Sequence, residues 1–399
     1  VTEGSVLGAG TLRLARGRAT LVFFNGVTFF VEGPAEFNLL GQNRVFCHRG
    51  KLRTRVPDGA KGFTAMAPGA AVVDLGTEFA MNVDTDGGSD VMVFEGQAEI
   101  SLLNREGHTL RSETLEHGKA ARIDSQADHI TAVTARPEQF ANSMSLIAPP
   151  LELSPAYPQA VLAAKPWSYW RFETMTDQTI PNEMADRPPL RVVGAPRLTG
   201  SAGGNHHAVF PGSGRMRYLL MDDAWTPPQR NYAVECWLMP EKIRPSALIS
   251  LLAESDEPGL NHHAFLLELT GPGSEVVHPR GALRFLHRMP AGTSGGTNVF
   301  SRGVYVPYRW QHVVAQRIGE YMELYLDGNL VGTAPLDKDT PLPPCRLLLG
   351  WLRLAPEFKW GNARPFVGGL DEVALYDHPL SAQEIQQHYQ LGSTKRPSP

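Results

Sequence analysis

The stretch FVGGLDEVALYDHPLSAQEIQQHY, Phe366 to Tyr389, places a Gly-Gly turn, a strand pattern and a helix start one after another. Branched and aromatic residues between Val367 and Tyr376 favour a β-strand. Ser381 followed three residues later by Glu384 is typical of a capping box, in which the two side chains satisfy the first free amides of a helix. The stretch therefore predicts that a β domain closes here with one core strand and one helix.

The composition of the whole chain agrees with a β-rich protein. The 399 residues are 42% hydrophobic and 20% charged, which is enough for two or more domains with full cores. The 39 glycines and 32 prolines follow no fixed period, as expected for many short strands joined by tight turns. We therefore predict an all-β fold. A net charge of −4 provides no field that attracts nucleic acid or an anionic membrane, so neither is predicted as a partner.

The three cysteines, Cys47, Cys236 and Cys345, each lie in an apolar, strand-like run. They are too few and too scattered for a disulfide framework or a zinc centre, and we predict buried free thiols. A Cys236–Cys345 disulfide remains an alternative. The sequence has no apolar run long enough to span a membrane, and the start VTEGSVLGAG lacks the features of a signal peptide.

Residues 1–136 contain a repeated pattern of strand, glycine, strand. The repeated glycines are separated by 16, 17, 19, 27 and 22 residues and are Gly17, Gly33, Gly50, Gly69, Gly96 and Gly118. Such a period predicts the stacked layers of a β-solenoid-like domain, with glycine at each corner. Alternation places apolar side chains in one interior, among them Leu12, Leu14, Ala19, Leu21, Phe29, Val31, Ala35, Phe37, Val45, Cys47 and Leu52. A meander with hairpin turns is the alternative.

Two segments of this domain, VVDLGTEFAMNVD (Val72 to Asp84) and DVMVFEGQAEI (Asp90 to Ile100), resemble the signature of the FecR family. The matching positions are Gly76, Thr77, Phe79, Phe94, Glu95 and Gly96. The resemblance implies the sensing part of a membrane-anchored sigma-factor regulator, located in the periplasm or at the cell surface, with an outer-membrane or cell-envelope partner. It also implies an anti-sigma segment and a membrane anchor before Val1, outside this chain.

Prolines crowd the segment that follows, at Pro149, Pro150, Pro155, Pro158 and Pro166. Proline at this density stiffens a link and opposes strand pairing. We predict a connector with one short helix over residues 137–165, and we expect the helix to pack on the second domain. Residues 391–399 are predicted to be a tail.

Residues 166–390 alternate short strands with glycine-rich turns and predict a two-sheet jelly-roll sandwich with short flanking helices. Asp327-Gly328 is the strongest hairpin signal. Ordered segments of this domain resemble the laminin-G-like, concanavalin A-like lectin family: YWRFE, AVFPGSG, YAVECWLMP, RWQHVVAQR, LYLDGNLVG, LLLG and GGLDEVALYDHPLSAQEI. The resemblance implies a carbohydrate or protein ligand.

The same resemblance implies one structural calcium ion, held by Asp371 with an acid near the first strand. The candidate ligands are Asp371, Glu173 and Asn182. If the domain binds a ligand, aromatic residues in turn-rich stretches are candidates for stacking on it. They are Trp225, Tyr305, Tyr308, Trp351 and Trp360, and the alternative for each is core or rim packing.

We predict that the protein is not an enzyme. The alternating Glu-x-Asp-x-x-Glu run of the hydrolases with this fold is missing, and Asp371 and Glu372 are neighbours that an ideal strand would turn to opposite faces. The predicted function is an extracytoplasmic sensor whose second domain recognises a ligand. A surface adhesion or structural protein without signalling is the alternative, and a glycoside hydrolase is less favoured.

Overall fold

The computed structural model describes residues 5–56, 60–124, 129–140, 151–200, 204–211, 217–253, 262–271, 279–292, 294–336, 342–352 and 364–392. The chain divides into two compact units, Val1–Ile147 and Ala148–Pro399. Strands dominate both units, which confirms the all-β prediction. No helix within the described residues is both long and apolar enough to cross a membrane.

The first unit contains twelve strands in one hydrogen-bonded sheet, counted over the described residues. Their bounds are β1 Gly10–Leu14, β2 Arg18–Val22, β3 Thr28–Leu39, β4 Arg44–Arg55, β5 Thr64–Ala67, β6 Ala70–Asp74, β7 Glu78–Val83, β8 Ser89–Glu95, β9 Gln97–Leu103, β10 Thr109–Glu116, β11 Ala120–Asp124 and β12 His129–Val133. A 3-10 turn, Pro137–Gln139, follows.

The sheet of the first unit bends at the repeated glycines. The two halves of β3 pair with different strands, β1 and β2, and the amide of Gly33 donates to the carbonyl oxygen of Gly17 over 2.8 Å. Gly50 of β4 has φ +112, and a Cβ there would lie 2.6 Å from Cβ of Ala35. Only glycine permits both this backbone conformation and this close approach, so the repeat marks corners of the fold.

Most of the residues predicted to fill the interior of this unit are buried there. Phe29, Val31, Phe37, Val45 and Leu52 belong to one buried cluster that draws on both halves of the bent strands. The direction of the strands differs from the expected solenoid, because all pairs in the sheet except β4 with β5 are antiparallel. The sheet order is not that of a simple meander either, because strands that do not follow one another in the chain pair: β4 with β7, β6 with β9 and β8 with β11.

The second unit contains sixteen strands and two helices among its described residues. The strands are β13 Ser168–Trp170, β14 Thr179–Ile180, β15 Leu190–Gly194, β16 Arg197–Gly200, β17 His206–Phe210, β18 Arg217–Leu220, β19 Asn231–Pro240, β20 Ser246–Ala253, β21 His263–Leu269, β22 Leu283–Gly292, β23 Thr297–Phe300, β24 Gln311–Ile318, β25 Tyr321–Leu326, β26 Asn329–Pro335, β27 Cys345–Leu349 and β28 Gly368–Tyr376. The helices are α1 Tyr157–Ala163 and α2 Ala382–Gly392.

These strands form two sheets, which pack as a sandwich. The β28 sheet has the order β16-β17-β28-β19-β24-β25-β26, with β13 paired to β28, and the β27 sheet has the order β14-β15-β18-β27-β20-β21-β22-β23. Side chains meet between the sheets, where the rings of Tyr232 and Phe265 lie 6.1 Å apart. Helices α1 and α2 cover the other face of the β28 sheet, and their Tyr157, Val161 and Ile385 share a core with Trp237. All nine residues of β28 are therefore buried.

Several local predictions are confirmed in this unit. Asp327 and Gly328 both have positive φ and form the hairpin turn between β25 and β26. The amide of Ser381 donates to Glu384 over 2.7 Å, and the amide of Glu384 donates to Ser381 over 3.2 Å, so the capping box begins α2 as expected. The three cysteines are buried thiols that form no disulfide.

Candidate functional site

A β-bulge in β28 controls the candidate site. Glu372 has φ +51, and the register between β19 and β28 shifts beside it. A bulge interrupts the alternation of side chains along a strand. The argument that Asp371 and Glu372 turn to opposite faces rests on that alternation, which the bulge interrupts.

Three carboxylates and one guanidinium form this site, which we call the Asp371 cluster: Asp371, Glu372, Glu173 and Arg171, together with Asn205. The Arg171 guanidinium lies 3.3 Å from Glu372 Oε1 and 3.1 Å from Glu173 Oε1. Asn205 Nδ2 donates to Asp371 Oδ2 over 2.6 Å. Asp371 and Glu372 are fully buried, whereas Glu173 is partly exposed, so the cluster reaches solvent at Glu173.

Two further groups fix the orientation of these carboxylates. The hydroxyl of Tyr169, on β13, donates to Glu372 Oε2. The backbone amide of His206, at the start of β17, donates to Glu173 Oε2 over 3.2 Å. The cluster therefore joins β13, β17 and β28, strands that come from the beginning and the end of the unit.

The electrostatics of the Asp371 cluster are unbalanced. Burial raises the pKa of Glu372 to about 8, against the opposing effect of Arg171. Burial and the charge of Glu372 raise the pKa of Asp371 well above its ordinary value. Three carboxyls face one guanidinium, that of Arg171, and the imidazole of His206, whose Nδ1 lies 3.2 Å from Glu173 Oε2. The two buried carboxyls therefore favour uptake of a proton or a cation.

The predicted calcium ligands are only partly brought together. Asp371 and Glu173 belong to the cluster, but Asn182 does not contact it. Both ends of the Asn182 side chain hold backbone groups or Ser168 instead: its Oδ1 accepts from the amides of Tyr169 and Met184, and its Nδ2 donates to Ser168 and to the carbonyl of Pro188. Asn182 is therefore a structural residue, and the expectation that it binds metal is wrong.

A calcium ion takes six to eight oxygen ligands. Asp371, Glu173 and the side-chain oxygen of Asn205, which is buried and has no hydrogen-bond partner, are donors of the right chemistry. Among the described residues, however, no three His, Cys, Asp or Glu side chains are arranged to hold a metal ion. Arg171 takes the place of a cation between Glu173 and Glu372.

Most of the predicted ligand-stacking aromatics serve packing. Trp225 stacks on Trp167 at 5.5 Å, and the Tyr305 hydroxyl donates to the carbonyl of Thr270 over 3.0 Å. Trp351 contacts Tyr218 at 6.0 Å. All three predicted residues are buried, so the interpretation as an exposed platform is wrong for them. Tyr308 is half-buried with φ +58, and Trp360 lies outside the described residues.

A second polar group, which the sequence did not predict, lies on the helix-covered face of the β28 sheet. We call it the Glu235 cluster, and Glu235 of β19 is its fully buried centre. Glu235 Oε1 lies 2.7 Å from His312 Nε2 and 2.9 Å from His388 Nδ1, and the Tyr376 hydroxyl donates to Oε2 over 2.6 Å. Tyr157 of α1 approaches Oε1 at 3.4 Å. The one sequence signal was a glutamate in the middle of the apolar strand YAVECWLMP.

The Glu235 cluster is electrostatically balanced. Burial acts to raise the pKa of Glu235, but His388 and His312 outweigh it and hold that pKa well below its usual range. Burial acts to lower the pKa of His388, and Glu235 outweighs it, so the pKa of His388 lies above its ordinary value. A carboxylate and imidazoles satisfy one another here, and the cluster ties α1 and α2 to the sheet.

In the first unit, the residues that resemble the FecR signature have structural roles. A Cβ at Gly96, where φ is +76, would collide with the carbonyl oxygen of Gly76. Phe79 is fully buried in the core, and the Arg53 guanidinium lies 3.7 Å from the ring centroid of Phe94. The signature therefore positions two neighbouring corners and the residues that pack beside them.

The comparisons with known proteins address the second unit. A family model described as the concanavalin A-like lectin/glucanases superfamily matches residues 213–386. The match supports a concanavalin A-like jelly roll in the second unit, in agreement with the two-sheet sandwich. No curated protein matches the chain in sequence.

Solved structures similar to this chain include domain 4 of a GH43 extracellular arabinanase from Geobacillus stearothermophilus, in complex with arabinotriose. It is 14% identical, has a TM-score of 0.40, and the match covers 57% of this chain and 98% of that domain. The botulinum neurotoxin serotype G binding domain is 8% identical with a TM-score of 0.42, covering 57% and 51%. The receptor-binding domain of botulinum neurotoxin D is 12% identical with a TM-score of 0.41, covering 56% and 52%. The chain thus spans about half the length of these toxin domains, and likenesses of this size say nothing about ligand or activity.

Proposed function

We propose that the second unit is a non-enzymatic module that binds a carbohydrate or protein ligand. The observation that supports this proposal is the concanavalin A-like match over residues 213–386, on a sandwich whose two sheets are both present. The fold is shared by binding modules and hydrolases, so the distinction between them rests on the carboxylates.

The buried carboxylates of the unit favour binding over hydrolysis. A catalytic acid or base has to come within hydrogen-bond reach of the substrate. Asp371, Glu372 and Glu235 are fully buried and hydrogen-bonded to protein groups. Glu268 is also buried, 2.5 Å from Arg284 and 2.6 Å from Arg364. These four acids are engaged in holding the fold.

For the first unit we propose the FecR-like role of an extracytoplasmic sensor, in the periplasm or at the cell surface, joined to a membrane anchor outside this chain and facing a cell-envelope partner. The proposal rests on the resemblance of the two segments that meet at Gly76 and Gly96. In this arrangement the second unit recognises the ligand and the first unit transmits its presence. An adhesion or structural protein without signalling is the alternative.

Calcium is part of the proposal for the Asp371 cluster. The three neighbouring carboxyl groups of Asp371, Glu372 and Glu173 support it, and the raised pKa values of Asp371 and Glu372 mean that these two would give up their protons to the ion. When bound, the ion would supply positive charge that ties β28 to the segment around Glu173. Arg171 would have to release at least one of its carboxylates.

The function is tested by two measurements on the full chain. A glycan and protein array should give saturable binding, and deletion of the second unit in the full-length protein should abolish ligand-dependent transcription from a sigma-factor reporter. Binding with an unchanged reporter would support the adhesion alternative. Release of reducing sugar from a polysaccharide panel would overturn the non-enzymatic assignment, and an array without any binding would overturn the binding role.

A further inference from the structure

Strand β10, Thr109–Glu116, lies at one edge of the sheet of the first unit. It pairs with β9 on one side, and among the residues that the structure describes it pairs with no strand on the other. Most of its residues are exposed, and Leu110 is 54% exposed. An edge of this kind presents backbone amides and carbonyls with which a further strand can pair.

Two side chains of opposite charge project from one face of β10. Arg111 lies opposite the buried Leu102 of β9. Glu113 lies opposite the buried Ile100, so both side chains extend the face of the sheet that covers the core. They form an ion pair at 2.6 Å and remain 60% and 39% exposed. Ser112, between them, projects from the other face of the strand.

The other strands of this unit that have one described neighbour lack this combination of charges. They are β1 (GTLRL), β2 (RATLV) and β12 (HITAV). None of the three contains an acidic residue, so two copies of the same strand have no opposite charges to pair. Charge of one sign on an edge strand opposes pairing with another copy, whereas β10 carries one arginine and one glutamate two residues apart.

We infer that β10 pairs with β10 of a second copy of this chain, antiparallel and about a two-fold axis at Ser112, so that the protein forms a homodimer. In this register Arg111 of each copy lies directly opposite Glu113 of the partner subunit. Residues directly opposite in an antiparallel pair share a face, and opposite charges there stabilise the pairing. A two-fold interface uses the same surface on both copies, and the backbone hydrogen bonds then continue the sheet from one copy into the next.

The charges also select the register. Two identical antiparallel strands related by a two-fold axis must be centred on a residue, because opposite residues have to share a face. A centre at Glu113 places two glutamates opposite each other, and a centre at Arg111 places two arginines there. The centre at Ser112 turns both positions into pairs of opposite charge. It also places the exposed Leu110 against Thr114 of the partner subunit.

Charge reversal tests the pairing in the full chain. In sedimentation velocity over a concentration series, the parent should show a reversible monomer–dimer equilibrium. Arg111→Glu and Glu113→Arg should each weaken dimerisation by about tenfold or more, because like charges then lie opposite. An equimolar mixture of the two variants should dimerise again, since each supplies the charge that the other needs. Arg18→Glu is the control and should dimerise like the parent, because Arg18 is also an exposed edge-strand arginine, 3.3 Å from Glu32.

A cysteine at the proposed two-fold axis tests the register. Ser112→Cys should form a disulfide between two copies under mild oxidation, because the two Cβ atoms lie opposite each other. Thr114→Cys is the matched control: it lies exposed on the same face of β10 but opposite Leu110, so it should not form this disulfide. The native cysteines are buried. Equal crosslinking of both variants would contradict the proposed register.

Three outcomes would overturn the inference. They are a parent that stays monomeric at the highest concentration, a dimer that Arg111→Glu leaves unchanged, and oligomers that keep growing with concentration, which indicate pairing between different edges. Thermal melting of the variants at a concentration where the parent is monomeric should match that of the parent, because an exposed ion pair contributes little to stability. None of these measurements involves a ligand, so the dimer and the proposed binding function are tested separately.

Discussion

The Glu235 and Asp371 clusters both place carboxylates in the interior of the β28 sheet, but only one of them is neutralised. Glu235 has two imidazoles and two phenols around it, and its pKa is lowered. Glu372 shares the Arg171 guanidinium with Glu173, Asp371 accepts from the neutral amide of Asn205, and the pKa values of Asp371 and Glu372 are raised. Burial is nearly the same in both places, so the number of positive partners decides the direction of the shift.

This difference separates a structural cluster from a candidate site. In the Glu235 cluster both carboxylate oxygens are hydrogen-bonded, although His312 Nδ1 is buried without a partner. Its members come from α1, α2, β19, β24 and β28, which it holds together. In an unbalanced cluster, buried like charges raise the free energy of the folded state, and binding a proton or a cation lowers it. The opposite pKa shifts should therefore give the two clusters opposite responses to mutation and pH.

The largest effect is expected from Glu235→Gln. The change removes the carboxylate that His388 and His312 both contact, and breaking a buried pair by removing one partner costs about 3–5 kcal/mol. We expect a loss of that size in the free energy of unfolding, measured by urea denaturation at pH 6. Glu384→Gln, at the partly exposed capping box, is a control whose loss should be near 1 kcal/mol. Equal losses would contradict the central role of Glu235.

Above neutral pH, Glu372→Gln should increase the free energy of unfolding, whereas Glu235→Gln decreases it. Because the folded pKa of Glu372, about 8, lies above the unfolded value, the folded state binds more protons between pH 4.5 and 8. Stability of the parent should therefore fall as pH rises through that window, by up to about 1.4 kcal/mol per pH unit from one carboxyl.

The variant carries no carboxyl at this position, so its free energy of unfolding should change less with pH. The free energy of unfolding of the variant, relative to that of the parent, should be higher at pH 8.5 than at pH 5.5. The measurement is urea denaturation at closely spaced pH values. Parallel profiles for the two proteins would show that Glu372 does not carry the raised pKa.

The two clusters also show which features of the fold could be predicted from the sequence and which could not. Local signals were reliable where neighbouring residues decide the structure: Ser381 with Glu384 caps α2, and Asp327-Gly328 forms its hairpin. The interior of the first unit followed from alternation alone, because each bent strand has one face toward the core.

Alternation failed where one residue changes the backbone. The positive φ of Glu372 interrupts β28, and no residue type in GGLDEVALY announces a bulge at a glutamate. The Glu235 cluster was missed for a different reason. Its histidines lie 77 and 153 residues away in the chain, and only the pairing of β24 with β19 and the packing of α2 on the sheet bring them to the same carboxylate.

A smaller effect is expected from His388→Gln. The folded pKa of His388 is raised, so its contribution to stability is complete below about pH 6.5 and is lost as pH rises through the folded value. The melting temperature of the parent should therefore fall as pH rises above 6.5, and the melting temperature of the variant should not show this fall. Thermal melting of parent, His388→Gln and the exposed His108→Gln across pH 5.5–8.5 measures it. A variant that keeps the slope of the parent would place the titration elsewhere.

The smallest expected effect is that of calcium, and it depends on the charge state of the Asp371 cluster. Calcium binds ionised carboxylates, and the raised pKa values of Asp371 and Glu372 keep protons in competition with it near neutral pH. Calcium should therefore raise the melting temperature more at pH 9 than at pH 6, by a few degrees at a concentration about 100-fold above its dissociation constant. Asp371→Asn should remove the calcium effect, whereas Asp222→Asn, at the exposed ion pair with Arg191, should keep it. If the parent melts alike with calcium and with chelator at pH 9, Arg171 alone serves as the cation of this cluster, and the two clusters then differ in charge without differing in function.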